Sequence, residues 1–169
     1  MGWGGIANLP PGFDVFAGRE GQVNLVDEVV KGHVPGLSPS QEELFRDLKR
    51  HLLHRDYARY FDTTVVCAEM LIDHEQGKYR AGVYRDVLNP SIQVAREQFD
   101  SVLADMRRYA AMHRRPEYDP YSSLEQLHRR SAPIAQRFPE TEGANALEGH
   151  YQEVVRDVRA ALGSGDAPP

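Results

Sequence analysis

The sequence predicts an all-α protein: a helical bundle of four to six helices behind an extended, Gly/Pro-rich N-terminal arm. Three observations carry this expectation. Apolar residues recur at helical spacing through most of residues 38–163. Pairs of a capping residue and a proline, Ser38-Pro39, Asn89-Pro90 and Asp119-Pro120, stand just ahead of such stretches. The one segment that could form a buried strand, residues 63–72, has no partner strand elsewhere.

Taken in order, residues 1–37 form the arm. Eight glycines and three prolines lie within it, and both residue types work against long regular elements. One short helix fits, where Val23, Val26, Val29 and Val30 fall at helical spacing. Trp3, Ile6, Leu9, Phe13 and Phe16 are too much apolar surface for a solvated tail. They are expected to pack on the body of the chain or on a neighbouring subunit.

The body spans residues 38–163. Ser38 caps, Pro39 suits the first turn, and Glu42 and Glu43 complement the helix dipole. Leu44, Phe45, Leu48 and Leu52 then share one face. Past His54 the stripe moves to Phe61, Val65, Ala68 and Ile72, so the helix either kinks near 54–58 or meets different neighbours along its length. Residues 63–72 are apolar nearly all round, with Glu69 as the only charge, and read as a central buried helix.

Gly77 and Gly82 loosen the next stretch, and Asn89-Pro90 is expected to start a new helix. Ile92, Ala95, Phe99, Val102, Leu103, Met106 and Ala110 form its apolar stripe, and it must stop before Pro116. Asp119-Pro120 opens a further helix bearing Leu124, Leu127 and Ile134, which Pro133 is expected to kink or end. A last helix carries Leu147, Tyr151, Val154, Val158 and Leu162 and closes at Gly163. Residues 164–169 read as a disordered tail.

Composition narrows the function classes. The chain has 169 residues, within the range of about 100–200 expected for one domain. Acids outnumber bases, 25 to 20, which argues against a dedicated nucleic-acid binder. A single cysteine, Cys67, leaves no internal disulfide and points to a reducing, cytoplasmic setting. No membrane-spanning run and no secretory signal are read. Phosphate-loop, zinc-helix and nucleophile-elbow signatures are absent, and the reading leans against an enzyme.

Two side-chain sets retain chemical interest. His113, His128 and His150 sit on or beside the stripes of three helices and, with Glu69, could converge as a His/carboxylate site for zinc, iron or manganese. Glu125-x-x-His128 has the spacing of half a di-iron motif, but the second half is missing. The bland alternative, histidines bonded to neighbours and Glu69 paired with an arginine, is preferred, and no cofactor is expected. His51 and His54 with Asp47 form a lesser cluster, read as a salt-bridged surface beside Arg50 and Arg55.

The second set is basic: Arg107, Arg108, Arg114 and Arg115, then Arg129 and Arg130, interleaved with Tyr109, Tyr118 and Tyr121. Guanidinium groups pair with phosphates and tyrosines stack on bases, so a nucleic-acid or phosphate ligand is chemically possible. Residues 91–115 carry five bases and three acids, whereas residues 139–169 carry two and six. The basic stretch could therefore pair with the acidic end, within one molecule or between subunits.

The leading expectation is a non-enzymatic helical protein–protein interaction or assembly protein that binds other chains, including itself. A metal-binding bundle is the first alternative, and a phosphate or nucleic-acid binder the second.

Overall fold

A computed structural model of the chain describes Phe16 and residues 23–163. Among the described residues the structure is helical with no strand. A short helix, α1 (Leu25–Val30), precedes α2 (Pro39–Leu53) and α3 (Tyr57–Leu71). Two single turns follow, α4 (His74–Gly77) and α5 (Arg80–Val83). A π-helical turn, Tyr84–Leu88, then runs directly into α6 (Asn89–Ala111), and α7 (Pro120–Arg137) and α8 (Ala144–Gly163) complete the chain.

The caps explain most of the starts. Ser38 accepts the Gln41 N–H while the Gln41 side chain accepts from the Ser38 N–H, a reciprocal pair that satisfies two otherwise free donors. Asp56 and Asp119 cap α3 and α7 one way only, their carboxylates accepting the Arg59 N–H and the Tyr121 and Ser122 N–H groups. A tight turn separates α2 from α3. Arg55 takes a left-handed conformation (φ 59°), and the Asp56 N–H donates back to the His51 carbonyl, closing α2 with a residue that is not glycine. The shift of the apolar stripe past His54 thus reflects two helices rather than one kinked helix.

The expected start at Asn89-Pro90 is corrected. Asn89 is itself helical (φ −58°, ψ −44°), and its N–H donates to the Tyr84 carbonyl, five residues back. Pro90 has no N–H, and its ring would press on the carbonyl of residue 86 in a regular α-helix. The wider π turn carries the helix through the proline. The Asn89 side chain turns outward instead and accepts the Glu142 N–H at 2.8 Å. Pro133 likewise does not end α7, which continues to Arg137.

Side-chain pairs set the directions of the helices. Arg130 bonds Asp62 at 3.1 Å and Arg137 bonds Glu69 at 2.7 Å, so α3 and α7 run in the same direction with both partners displaced by seven residues. Asn89 on the Glu142 N–H and, further along, Asp100 on His150 place α8 alongside and parallel to α6. His128 on Glu148, with Arg159 over Tyr121, makes α7 antiparallel to α8. The interior is one continuous cluster that includes Phe45, Phe61, Phe99, Met106, Leu124, Ile134 and Val158. Each such side chain stabilises the fold by roughly 1.5–3 kcal/mol relative to exposure. Phe16, only 2% exposed, and Val26 and Val29 of α1 belong to the same cluster, so this part of the arm packs on its own body.

Asp86 ties α1 down. Its buried carboxylate accepts the Leu25 N–H at 2.7 Å on Oδ2, and the Arg85 guanidinium donates to both carboxylate oxygens, also at 2.7 Å. Arg85 further donates to the Val23 carbonyl. The residue sits inside the π turn, so the same irregularity that accommodates Pro90 aims a carboxylate at the first turn of α1. No described helix is long and apolar enough to cross a membrane.

Candidate interaction surface

The C-terminal end of α6, the N-terminal end of α7 and the C-terminal end of α8 meet at one corner of the molecule. This is where the sequence-selected arginines and tyrosines gather. Tyr118 donates its hydroxyl to Asp105 at 2.7 Å, and the other oxygen of Asp105 takes Arg108. Burial and that acceptor carboxylate push the Tyr118 phenol well above its ordinary range, so it stays protonated and remains a donor. Arg114 bonds Glu117 at 2.7 Å and lies over the Tyr109 ring, while Arg159 lies over the Tyr121 ring, each at 5.6 Å from the ring centre.

Around these fixed groups the surface is partly apolar. Met112 is 47% exposed, and Tyr118 and Tyr121 are each 36% exposed. Arg107 and Arg115 make no ion pair with any described residue. The sequence left open that this basic stretch pairs with the acidic end within one molecule. None of Arg107, Arg108, Arg114 and Arg115 does so among the described residues. Their partners, where present, come from residues 105 and 117.

Arg129 and Arg130 belong to a different face. Arg129 pairs with Glu125 one turn earlier, and Arg130 is spent on Asp62 of α3. The arm residues Trp3, Ile6, Leu9 and Phe13 lie outside the described residues, and Phe16 is buried in the core.

The His/carboxylate set is placed in separate local pairs. Glu69 lies on the exposed stripe of α3 and bonds Arg137. His113 follows the end of α6 on the surface, in a left-handed conformation (φ 54°) that closes that helix. His128 bonds Glu148 at 2.5 Å and stacks on Tyr151, ring centres 4.0 Å apart. The Gln152 amide and His128 together hold the Glu148 carboxyl below its usual range. His150 bonds Asp100 at 2.7 Å. Among the described residues, no group of three or more His, Cys, Asp or Glu side chains is arranged to hold a metal ion. Asp47, beside His51, is taken by Arg50. Burial raises the Cys67 thiol far above its ordinary range, which leaves it protonated and a poor nucleophile.

A second region was missed by sequence reading. At the other end of the same three helices, an open depression of about 620 Å³ is lined by Gly77, Lys78, Arg80, Tyr84, Asn89, Glu140 and Glu142, among others. Glu75, Gln76 and Gly77 ahead of it all have positive φ (49°, 60° and 84°), a left-handed turn that costs roughly 1–2 kcal/mol at each non-glycine residue. Two signals were available: Gly77 at the turn, and Pro90 interrupting an otherwise helical pattern. The contribution of residues 140–142 comes from the loop between α7 and α8 and has no local signature. No family model, curated protein or solved structure matches the chain.

Proposed function

We propose that this chain is a non-enzymatic helical protein of the cytoplasm that works by binding other protein chains, foremost a second copy of itself, and that the corner of α6, α7 and α8 is its binding surface. The observation that carries this reading is the combination of Arg107 and Arg115, both without an ion-pair partner among the described residues, with Met112, Tyr118 and Tyr121 half-exposed between them. Arginine, tyrosine and methionine are the residue types enriched where protein surfaces meet. Tyr118 and Tyr121 are already held by Asp105 and Arg159, so ordering them on contact costs little entropy. The proposal takes α2, α3, α6, α7 and α8 as a helical bundle of four to six helices, with the apolar arm residues Trp3, Ile6, Leu9 and Phe13 as a further contact.

Sedimentation of the full chain over a range of concentrations tests the reading. The expected result is a mass that is a multiple of the chain, falling to one chain when Met112→Asp and Tyr121→Ala are combined, with an unchanged thermal unfolding curve. A wild-type chain that stays monomeric at the highest attainable concentration sinks the proposal. Strong, salt-sensitive retention of that monomer on heparin, lost on neutralising Arg107 and Arg115, would move the assignment to a phosphate-bearing ligand.

A further inference from the structure

The depression at the start of α6 brings opposite charges together without joining them. Lys78 and Arg80 line it beside Glu140 and Glu142, so its lining is charge-balanced. The cations come from the turn before α5 and its first residue, and the carboxylates from the loop between α7 and α8. None of the four closes into a hydrogen-bonded ion pair among the described residues. The Arg80 guanidinium stands 3.7 Å from Glu140 and 4.0 Å from Asp73, and the Lys78 ammonium 3.8 Å from Glu75, all beyond hydrogen-bonding reach. The Glu142 side chain has no partner among the described residues.

Aromatic rings and backbone hold these groups instead. Arg80 lies over the Tyr84 ring, 5.4 Å from its centre, and Lys78 lies over the Tyr79 ring at 5.5 Å. A ring face positions a cation without neutralising it, and a stacked guanidinium keeps the N–H groups at its edge free to bond. Tyr79 is stacked in turn on His74, whose Nε2 bonds the Pro35 carbonyl at 2.7 Å. In the α7–α8 loop, the Glu142 N–H is fixed to Asn89 at 2.8 Å, which sets the backbone that carries its carboxylate. The left-handed run Glu75, Gln76, Gly77 leads directly into Lys78, and backbone strain of this kind gathers at sites that clamp ligands.

We propose that the depression binds a small zwitterion, a molecule carrying a primary amine and an acid group, carboxylate or phosphate. Arg80 and Lys78 donate to the acid group, and the Glu142 carboxylate, with Glu140 beside it, accepts from the ammonium. A ligand of one charge sign would cover the other two side chains and leave them without a partner, whereas a zwitterion satisfies both pairs. Gly77 and Ala81 line the same depression and add no long side chain to obstruct it. Its volume of about 620 Å³ lies within the range of small-molecule sites, roughly 300–1,000 Å³. The site stands at the other end of α6 from the arginine–tyrosine corner, so this inference does not rest on self-association.

NMR titration of the full chain tests it, with aminopropyl phosphate and γ-aminobutyrate as probes. Propyl phosphate, butyrate and butylamine are their singly charged counterparts. The expected result is saturable shifts at Gly77, Ala81 and Glu142, with at least one zwitterion bound about tenfold more tightly than either of its counterparts. The stronger zwitterion identifies the acid group. Glu142→Gln and Arg80→Gln replace exposed side chains, and matching circular dichroism establishes that both variants fold. Each should weaken binding at least about fivefold.

The absence of saturable shifts with both zwitterions, up to their solubility limits, overturns the proposal. Equal binding of propyl phosphate or butyrate overturns it as well, since the site would then be a simple anion trap. Undiminished binding in Glu142→Gln does the same. The combined Met112→Asp and Tyr121→Ala chain should bind the zwitterion as wild type does, so failure here leaves the corner reading standing, and a monomeric wild type leaves this site standing.

Discussion

Replacing Asp86 by alanine removes a side chain that bonds both the first turn of α1 and the guanidinium beside it. The carboxylate is 7% exposed and accepts the buried Leu25 N–H at 2.7 Å, while Arg85, 46% exposed, grips it with two nitrogens. Two contributions follow from this geometry. Leaving the Leu25 N–H unpaired inside the fold costs about 1–3 kcal/mol. Arg85 can turn back to water, so its pairing adds no more than about 1 kcal/mol. The sum, about 1–4 kcal/mol, lowers the midpoint of unfolding by roughly 2–16 °C for a chain of this size. Thermal unfolding followed by circular dichroism measures the total, and hydrogen exchange at Leu25 and Val26 locates it. Asp86→Asn keeps an acceptor for Leu25 and should recover about half of the loss. Arg85→Ala leaves the buried Asp86 carboxylate without its counter-charge and is also expected to be destabilising, but without loss of hydrogen-exchange protection at Leu25, whose bond to Asp86 remains. The reasoning fails if Asp86→Ala shifts the midpoint by less than about 2 °C or leaves exchange at Leu25 unchanged, for the stabilising contact would then not be the bond to α1.

Two further outcomes follow from the same kind of reading. Arg55→Gly relieves a left-handed residue at the end of α2 and should raise stability by about 1 kcal/mol, seen as a midpoint roughly 2–4 °C higher; no increase would mean that the turn favours arginine for a reason beyond its backbone. The Glu148 carboxyl is held below its usual range by Gln152 and then His128, so its stabilising effect is complete above the ordinary glutamate value of about 4.3 and lost as pH falls through the lower folded value. Unfolding midpoints measured between pH 5 and pH 3 should fall less steeply in Glu148→Gln than in wild type.

Where local chemistry decides a boundary, the sequence was enough. Ser38, Pro39 and Gln41 set the start of α2 through bonds within four residues, and Asp119 does the same for α7. The helical reading of residues 63–72 also agrees with α3, where Glu69 bonds an arginine, Arg137, from a solvent-facing position on a helix expected to be buried all round. Asp62, Val66 and Glu69 form a narrow exposed stripe along an otherwise buried helix, and such a stripe hides easily in an apolar run. In the sequence the break at Arg55 looks like a kink because the closing residue is not glycine, and the hydrogen bond that ends α2 involves backbone alone.

The candidate site divides along the same line. Arg107, Arg108, Arg114, Arg115 and the tyrosines are neighbours in sequence and remain neighbours in space. The pairing of charges across the molecule was not legible, since counting charges by segment says nothing about which end of a helix they occupy. Lys78, Asn89 and Glu142 come together only because α8 returns parallel to α6, which is a property of packing.

The π turn at Tyr84–Leu88 also bears on how this chain tolerates insertions and deletions. A turn closed by a bond reaching five residues back holds one residue more than a regular helix needs. Deleting one residue there would leave α6 intact, yet it would rotate everything upstream by roughly 100° about the helix axis. Asp86 would swing away from Leu25 while Phe99 and Met106 stayed in place. Length variants of this turn should therefore lose the docking of α1 and also strain the packing of α3, which is tied to α7 through Asp62–Arg130 and Glu69–Arg137, so the length of the turn sets how the two halves of the chain fit together.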